Sequence, residues 1–301
     1  MEMNISESLK LKWLLALSAL LVSCGPVTTE PYAIDESEEI AQQIAEVATA
    51  VDGASIQSNG EISAMNSRML TSCYSQSFST CNNGVKTKAF NSCALGQARF
   101  YGNYMIRWLT QTNTNKTNCL LSNVGEKIAA GPNTQMTIST DRGYLYTIDR
   151  LGIYGHILTW NSGSGAAKQF SLTSDGFRKT IYPPEESTAS YDVTSLITSA
   201  IAVSGSARAS RSLNGGNLKL TNNKTGEECN LAAQAITWTE PSCSCPTAGT
   251  WSGSCVNGVT TRSLSMNLVS PSTPKKCGEV VITIDGSSTQ VMLDRCYDTS
   301  L

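Results

Sequence analysis

The chain has 301 residues, of which only 15% are charged, and its formal net charge is −2. Because typical domains contain about 25% charged residues, much of this surface must consist of uncharged polar side chains, which suits β-structure with many turns. Lys and Arg never form a run longer than two residues. The dense basic patch of a nucleic-acid-binding protein is therefore missing, and we expect no nucleic-acid partner.

The N-terminus has the pattern of an export signal. Lys10 and Lys12 precede an apolar run over residues 13–22, and small residues follow. Such a run rises about 15 Å as a helix, roughly half the hydrocarbon core of a bilayer, so it is too short to span a membrane. We interpret residues 1–23 as a signal peptide.

The sequence Leu21-Val22-Ser23-Cys24 at the end of this run resembles the lipobox of bacterial lipoproteins. The resemblance implies cleavage before Cys24 and acylation of its thiol and amine, with chains such as palmitate. Two or three acyl chains anchor a protein stably where a single chain is marginal. Gly25 is not the aspartate that retains well-studied lipoproteins at the inner membrane, which favours the outer membrane. An ordinary secretion signal with a chance cysteine is the alternative.

Residues 24–67 contain eight acidic residues and no Lys or Arg, and we interpret them as an acidic tether. A helix is predicted at about residues 35–51, because Asp35 can cap its first turn and Glu38 follows three residues later. Two heptads are too few to define a coiled coil. The helix is therefore expected to dock on its own domain or to stay half-formed, and oligomerisation through it is the alternative. Its heptad-spaced apolar residues are Ile40, Ile44, Val47 and Val51.

From residue 68 onward the apolar pattern has a period of two. Large apolar side chains occupy every second position at Tyr104, Ile106 and Trp108. Turns rich in Asn, Gly, Ser and Thr separate short strand-like segments. This pattern predicts an all-β fold, an antiparallel sandwich or barrel-like sheets with disulfide-linked hairpins. We expect a β-rich domain at residues 68–240, with one short helix at residues 193–203. A Cys-rich hairpin module at residues 241–301 is expected to pack on it.

The clearest element is a hairpin close to the C-terminus. Residues 279–284 and residues 289–294 have strand-like sequences, and Asp285-Gly286 lies between them. Asp-Gly between two alternating runs is a strong hairpin signal. Because Cys277 precedes the first strand and Cys296 follows the second, we predict a disulfide between these two cysteines.

Ten cysteines remain besides Cys24, and an even number in an exported protein predicts five disulfides. The long gap between Cys119 and Cys229 divides them into four and six, and we expect pairing within each group. Zinc bound by Cys243, Cys245 and Cys255 is the alternative, but an oxidising compartment and a single histidine disfavour it. We expect no metal and no cofactor. The candidates for disulfides are Cys73, Cys81, Cys93, Cys119, Cys229, Cys243, Cys245, Cys255, Cys277 and Cys296.

The region from residue 208 to residue 296 resembles the C-terminal half of Cys-rich lipoproteins of Gram-negative bacteria. The likeness rests on Asn-Gly-Gly-Asn at 214–217, Ile-Thr-Trp at 236–238, and the cysteine and glycine positions of 243–249, 277–278 and 294–296. It implies a disulfide-linked β fold. It implies no activity, because none is known for that group.

No catalytic set stands out in the sequence. His156 is the only histidine and lies before a strand-like segment, and the chain has no Gly-x-Ser-x-Gly motif. We therefore expect His156 to be a hydrogen-bonded residue at a strand end. Ser272-Thr-Pro-Lys275 matches Ser-x-x-Lys, but the prolines at 271 and 274 predict a loop. Phosphate-loop, dinucleotide and calcium-loop motifs are also missing.

A carboxylate pair for glycoside hydrolysis needs only proximity in space, so the sequence leaves this possibility open. Glu185 and Glu186 follow two prolines and are expected in a solvated loop. The available acids are Asp141, Asp149, Glu185, Glu186, Asp192, Glu227 and Glu228.

Trp160, Trp238 and Trp251 are candidates for an aromatic platform that stacks on carbohydrate, although core tryptophans are commoner. Trp251 is the one most expected to be exposed, because Gly249 and Gly253 give both sides of it a turn-like character. We name it as the candidate ligand-stacking residue.

These features together predict a lipid-anchored protein of the bacterial envelope that acts as a binding or structural module and not as an enzyme. Its expected partners are the membrane, through Cys24, and an envelope glycan or protein. The alternative is an envelope hydrolase that acts on glycan or peptide through a carboxylate site.

Overall fold

The computed structural model describes residues 37–41, 44, 79–95, 98–133, 135–140, 143–205, 210–240, 242–243, 245–293 and 296. The predicted signal peptide, Cys24 and most of the predicted tether lie outside these residues. The described part is mostly antiparallel β-structure, which confirms the predicted all-β class. The strands are β1 Val85–Leu95, β2 Ala98–Leu109, β3 Lys127–Pro132, β4 Met136–Thr140, β5 Leu145–Arg150, β6 His156–Ser162, β7 Gln169–Ser174, β8 Phe177–Tyr182, β9 Tyr191–Ser199, β10 Ile201–Ser204, β11 Ser212–Asn222, β12 Glu228–Thr237, β13 Ala248–Asn257, β14 Thr260–Asn267, β15 Glu279–Ile284 and β16 Ser287–Met292.

The sheet is a meander in which each long strand pairs with the next one along the chain. β3 and β4 pair with successive parts of β2 along the same edge, so they act as one interrupted strand. The pairs β5 and β6, β7 and β8, and β9 and β10 are related in the same way. The sixteen segments therefore form twelve consecutive antiparallel strands.

The interruptions lie side by side and form a line across the sheet. β5 and β6 are separated by residues 151–155, and the neighbouring β7 and β8 are separated by Asp175 and Gly176. The line continues through the register shifts after Leu213 in β11 and after Gln234 in β12. Bulges bend strands and increase their twist, so this line is where the sheet changes direction.

The buried apolar residues form two hydrophobic clusters. The smaller one is centred on Phe90, Met136, Ile138, Ile148 and Phe177, which belong to β1, β4, β5 and β8. The larger one draws on β2, β3, β6, β7 and all strands from β9 onward. Its centre is a row of directly opposite residues on five strand segments, all buried: Trp108, Ile128, Leu158, Leu172 and Ile201.

A helical segment at residues 37–41 and 44 belongs to the larger core. Ile40 is 5% exposed, and Ala41 and Ile44 are fully buried in this cluster. Two of the four heptad-spaced residues, Ile40 and Ile44, are thus buried against the chain's own domain. This is the docked helix, one of the alternatives expected from the sequence. Residues Glu36–Leu301 form one compact unit.

The predicted helix at residues 193–203 is wrong, because this segment forms β9 and β10. Val193, Ile197 and Ile201 are buried and spaced four apart. A spacing of four fits one face of a helix, but it is also twice the strand period. The burial of Val203 and the exposure of Ala202 complete the strand alternation.

The predicted C-terminal hairpin is confirmed as β15 and β16, joined by the two residues Asp285 and Gly286. Both have positive φ angles, 49° and 82°, as a type I′ turn requires. The predicted bond between Cys277 and Cys296 is wrong. Cys277 pairs with Cys243, and Cys296 pairs with Cys245. The short segment with both Cys243 and Cys245 therefore joins the two ends of the hairpin.

Pairing within the two cysteine groups is confirmed for the eight cysteines whose bonds are described. The other two disulfides join Cys81 to Cys119 and Cys229 to Cys255. Cys73 lies outside the described residues, and the side chain of Cys93 is not among those described. The predicted fifth disulfide stays a prediction.

Candidate binding cleft

Two hairpin turns at one end of the sheet position the candidate site. The turn between β11 and β12 is held by Asn222, whose side-chain oxygen accepts hydrogen bonds from the backbone N–H groups of Lys224 and Thr225. This is the local bonding that makes Asn a turn residue. The turn between β13 and β14 consists of Gly258 and Val259, and Gly258 has a φ of 59°. Glycine at the first turn position is typical of a type II′ hairpin.

An open cleft of about 320 Å³ lies between these turns. Its lining consists of hydroxyl, amide and charged groups and includes no aromatic ring. The lining residues are Asn222, Thr225, Glu227, Asn257, Thr260 and Arg262. Such a lining favours a polar ligand that both donates and accepts hydrogen bonds.

Glu227 and Arg262 form the charged centre of the cleft. The Arg262 Nε donates to one Glu227 carboxylate oxygen at 2.9 Å, and Nη2 donates to the other at 2.6 Å. The side chains are 9% and 25% exposed, respectively. The two charges balance, and the planar two-bond geometry fixes both groups. The cleft is thus polar but neutral, and its charged groups are oriented in advance.

The cleft lies beside the disulfide between Cys229 and Cys255. The Glu227 carboxylate and the two sulfurs lie within 4.8 Å of one another, and they are the one cluster in the described part of the chain with the spacing of a metal site. Both sulfurs are bonded to each other, so neither is a thiolate that could bind a metal. The zinc alternative fails for the same reason, because Cys243, Cys245 and Cys255 each belong to a different disulfide.

The candidate carboxylates are held by separate partners. Asp192 accepts two bonds from Arg178, at 2.9 and 2.6 Å, and these bonds lower the pKa of Asp192 below its usual value. Glu228 pairs with Lys219 at 2.6 Å. Glu227 is the single carboxylate among the six residues that line the cleft. The cleft therefore lacks the two facing acids that a classical glycoside hydrolase uses.

The remaining candidate acids give no catalytic arrangement either. Asp149 accepts hydrogen bonds from the Gln135 amide at 3.1 and 3.2 Å. Glu185 and Glu186 are exposed in the turn after β8, as expected for a solvated loop. Asp141 lies outside the described residues.

Trp251 was expected to be exposed and to stack on a ligand, but the structure places it in the core. Its side chain is fully buried in the larger core, where it lies opposite Ala233 on β12 and Met266 on β14. Trp238 is also buried, at 3% exposure. Trp160 is half-buried and packs under the ammonium group of Lys168, 4.2 Å from the ring centre. The buried indoles of Trp238 and Trp251 offer no face to a ligand.

His156 begins β6, as expected, and its ring lies 4.5 Å from that of Phe177. The Ser-x-x-Lys match lies in a loop, also as expected. The Ser272 hydroxyl donates to Glu279 at 2.7 Å, whereas Lys275 donates to Glu240 at 3.1 Å. The serine and lysine are thus bonded to different carboxylates and do not form an activated pair.

No protein-family model matches the sequence, and no curated protein is significantly similar to it. No helix in the described part of the chain combines the length and the hydropathy that crossing a membrane requires.

Of the six cleft residues, only Glu227 was among the sequence-based candidates. The others are polar residues in or beside turns, and such residues are common on any surface. The one available signal was the Asn-Gly-Val-Thr sequence at residues 257–260, which predicts a turn but not a ligand site.

Proposed function

We propose that this protein is a lipid-anchored envelope protein whose folded domain binds a neutral, hydroxyl-rich ligand, such as a glycan unit, in the cleft around Glu227 and Arg262. One observation carries the binding part of the proposal, namely that four polar side chains from two hairpins surround the preoriented Glu227–Arg262 ion pair. Sugar hydroxyls donate and accept hydrogen bonds, as these groups do. The balanced charge of the pair favours a neutral ligand over a strongly anionic or cationic one.

The anchoring part of the proposal is supported by the Leu21-Val22-Ser23-Cys24 motif. Replacement of Cys24 by Ala should abolish lipidation and signal cleavage at this site, because the thiol that receives the lipid is lost. Mass spectrometry of the purified protein detects both changes. An unchanged lipid content and an unchanged mature N-terminus in the Cys24→Ala protein would contradict the lipoprotein assignment.

Binding is tested by titrating the full-length protein with glycan fragments released from Gram-negative envelopes and measuring the heat of binding. Asn257→Ala and Thr260→Val each remove a hydrogen-bonding group from the cleft without touching the ion pair, so each should weaken binding about fivefold or more, as expected for a lost hydrogen bond of about 1 kcal/mol. Ser187→Ala, in the exposed turn after β8, is the matched control and should bind normally.

Two outcomes would count against the binding proposal. The first is that none of the fragments gives a saturable heat of binding. The second is equal binding by the cleft variants and by the Ser187→Ala control. If the protein cleaves a fragment and Glu227→Gln abolishes that cleavage, the result would instead favour the hydrolase alternative.

A further inference from the structure

The loop at residues 151–155 combines a fixed backbone with exposed apolar side chains. Leu151 is 52% exposed and Ile153 is 64% exposed. Both lie in the interruption between β5 and β6, on the line where the sheet bends. Exposed apolar residues that recur within one short loop differ from single surface hydrophobics, which need no explanation.

The loop is held on both sides by hydrogen bonds to the next interruption. The Leu151 N–H donates to the Gly176 carbonyl at 3.0 Å, and the Asp175 N–H donates to the Gly155 carbonyl at 2.9 Å. The Tyr154 N–H donates to the Asp175 carboxylate at 2.9 Å. The backbone is thus ordered in advance, and little conformational entropy remains to be lost when the two side chains bind a partner.

Two basic side chains are linked to the loop through Tyr154. The Arg107 guanidinium lies 5.8 Å from the ring centre of Tyr154, and the Tyr154 hydroxyl donates to the backbone oxygen of Asn113 at 3.0 Å. Lys127 donates to the side-chain oxygen of Asn113. Arg107 and Lys127 are both half-buried. Their positive charges therefore lie close to Tyr154, the residue that follows Ile153 in the loop.

We propose that residues 151–155 form a membrane-contact loop, in which Leu151 and Ile153 enter the interface of an anionic bilayer while Arg107 and Lys127 bind lipid phosphates. Apolar groups inserted to a shallow depth, with basic residues at the headgroup level, are how peripheral proteins bind anionic membranes. Two aliphatic side chains offer far less area than the roughly 800 Å² per partner of a stable protein interface. A bilayer needs no such area, because each inserted side chain contributes by itself.

This proposal is independent of the cleft and rests on the proposed function only in that the lipid anchor would hold the domain near a bilayer. The loop would then orient the domain on the membrane.

The experiment uses the full-length lipoprotein reconstituted into vesicles whose phospholipids carry brominated acyl chains. Bromine quenches a tryptophan that enters the lipid, so Ile153→Trp reports on the loop. The matched control is Val259→Trp, because Val259 is a fully exposed aliphatic residue in the β13–β14 turn. Vesicles rich in phosphatidylglycerol are compared with vesicles of phosphatidylcholine.

The fluorescence of the unmodified protein is subtracted first. Bromine should then quench the tryptophan of Ile153→Trp at least about twofold more strongly than that of Val259→Trp, as expected for a group that enters the acyl region. The difference should be larger in the anionic vesicles, and Lys127→Gln should reduce it there. Equal quenching at the two positions, or quenching at 153 that ignores lipid charge, would overturn the proposal. Burial of the loop against a second copy, seen as a dimer by sedimentation that Ile153→Ser dissociates, would also overturn it.

Retention of the protein on sedimented vesicles is measured in the same samples. A protein that is retained but shows no extra quenching at position 153 contradicts only the loop proposal. A protein that is not retained contradicts the anchor as well.

Discussion

Glu227, the residue before β12, and Arg262 on β14 are joined by two hydrogen bonds, although β12 and β14 are not neighbours in the sheet. β13 lies between them, and its Cys255 is directly opposite both Cys229 and Arg262. The ion pair therefore bridges two strands across the disulfide. The disulfide belongs to the larger core, and the ion pair beside it forms the centre of the cleft.

Arg262→Gln should destabilise the protein by about 2 kcal/mol, because it leaves the nearly buried Glu227 carboxylate without its charged partner. Urea unfolding with the disulfides intact measures this loss. The matched control is Lys275→Gln, which breaks the Lys275–Glu240 pair, whose side chains are 54% and 42% exposed. Exposed pairs contribute about 0.5 kcal/mol or less. Equal losses in the two variants would contradict a structural role for the Glu227–Arg262 pair.

Peptide mapping without reduction should link Cys277 to Cys243 and Cys296 to Cys245. A peptide in which Cys277 is bonded to Cys296 would contradict the fold at the C-terminal hairpin. Removal of the Cys245–Cys296 bond, by replacing both residues with Ala, should cost about 4 kcal/mol, since this bond closes a loop of 51 residues and longer loops gain more from closure. Urea unfolding of the double variant checks this value.

The strand pattern and the hairpin were predictable from the sequence because both depend on local periodicity. On β2, the buried residues Ile106 and Trp108 are two positions apart, as the strand period requires, and Asp285-Gly286 specifies its own turn. The partners of Cys277 and Cys296 were not predictable in this way. They depend on where residues 243–245 cross the hairpin, which is a long-range feature.

The two glycines beside Trp251 explain why it was expected at the surface. Gly249 and Gly253 lie inside β13, where the neighbouring β12 backbone passes close by. A Cβ atom at Gly249 would lie 2.5 Å from the Ile236 Cα, and one at Gly253 would lie 1.8 Å from the Asn230 backbone oxygen. Glycine is required at both positions by a close approach and at Gly249 also by a φ of 97°, and sequence alone does not separate these causes from a turn.

The cleft could not be predicted because its residues come from two turns that are more than thirty positions apart along the chain. Thr225 and Thr260 are ordinary turn residues when each is considered alone. Only the pairing of β12 with β13 and of β13 with β14 brings them to one site.

Protonation of the Glu279 carboxylate should lower the free energy of unfolding at acid pH. Hydrogen bonds from the Ser270 and Ser272 hydroxyls, the Ser272 N–H and the Gln290 amide lower its pKa from the ordinary value of 4.5 to about 2. Since the folded form holds the proton less tightly than the unfolded form, this stabilisation is complete above pH 4.5 and is lost as the pH falls toward 2.

Thermal unfolding of Glu279→Gln between pH 6 and pH 2 tests this expectation, with the exposed Glu186→Gln as the control. The melting temperature of Glu279→Gln should fall less over the interval from 4.5 to 2 than that of the unmodified protein, because the titrating group is gone. The control should follow the unmodified protein. Parallel curves for all three proteins would show that Glu279 does not contribute to acid sensitivity.

Gly152 fixes the 151–155 loop for a steric reason. A Cβ atom at this position would lie 2.2 Å from the Cβ of Asp175, whereas one at Gly131 would meet nothing nearer than Phe177 Cε1 at 3.4 Å. Gly152→Ala should therefore displace Asp175 and cost about 1–3 kcal/mol, as other overpacked sites do, while Gly131→Ala should be tolerated. Hydrogen exchange should then show faster exchange at the Tyr154 N–H in Gly152→Ala alone, because its bond to the Asp175 carboxylate is lost. Unchanged protection of Tyr154 in the Gly152→Ala protein would mean that Asp175 does not hold the loop.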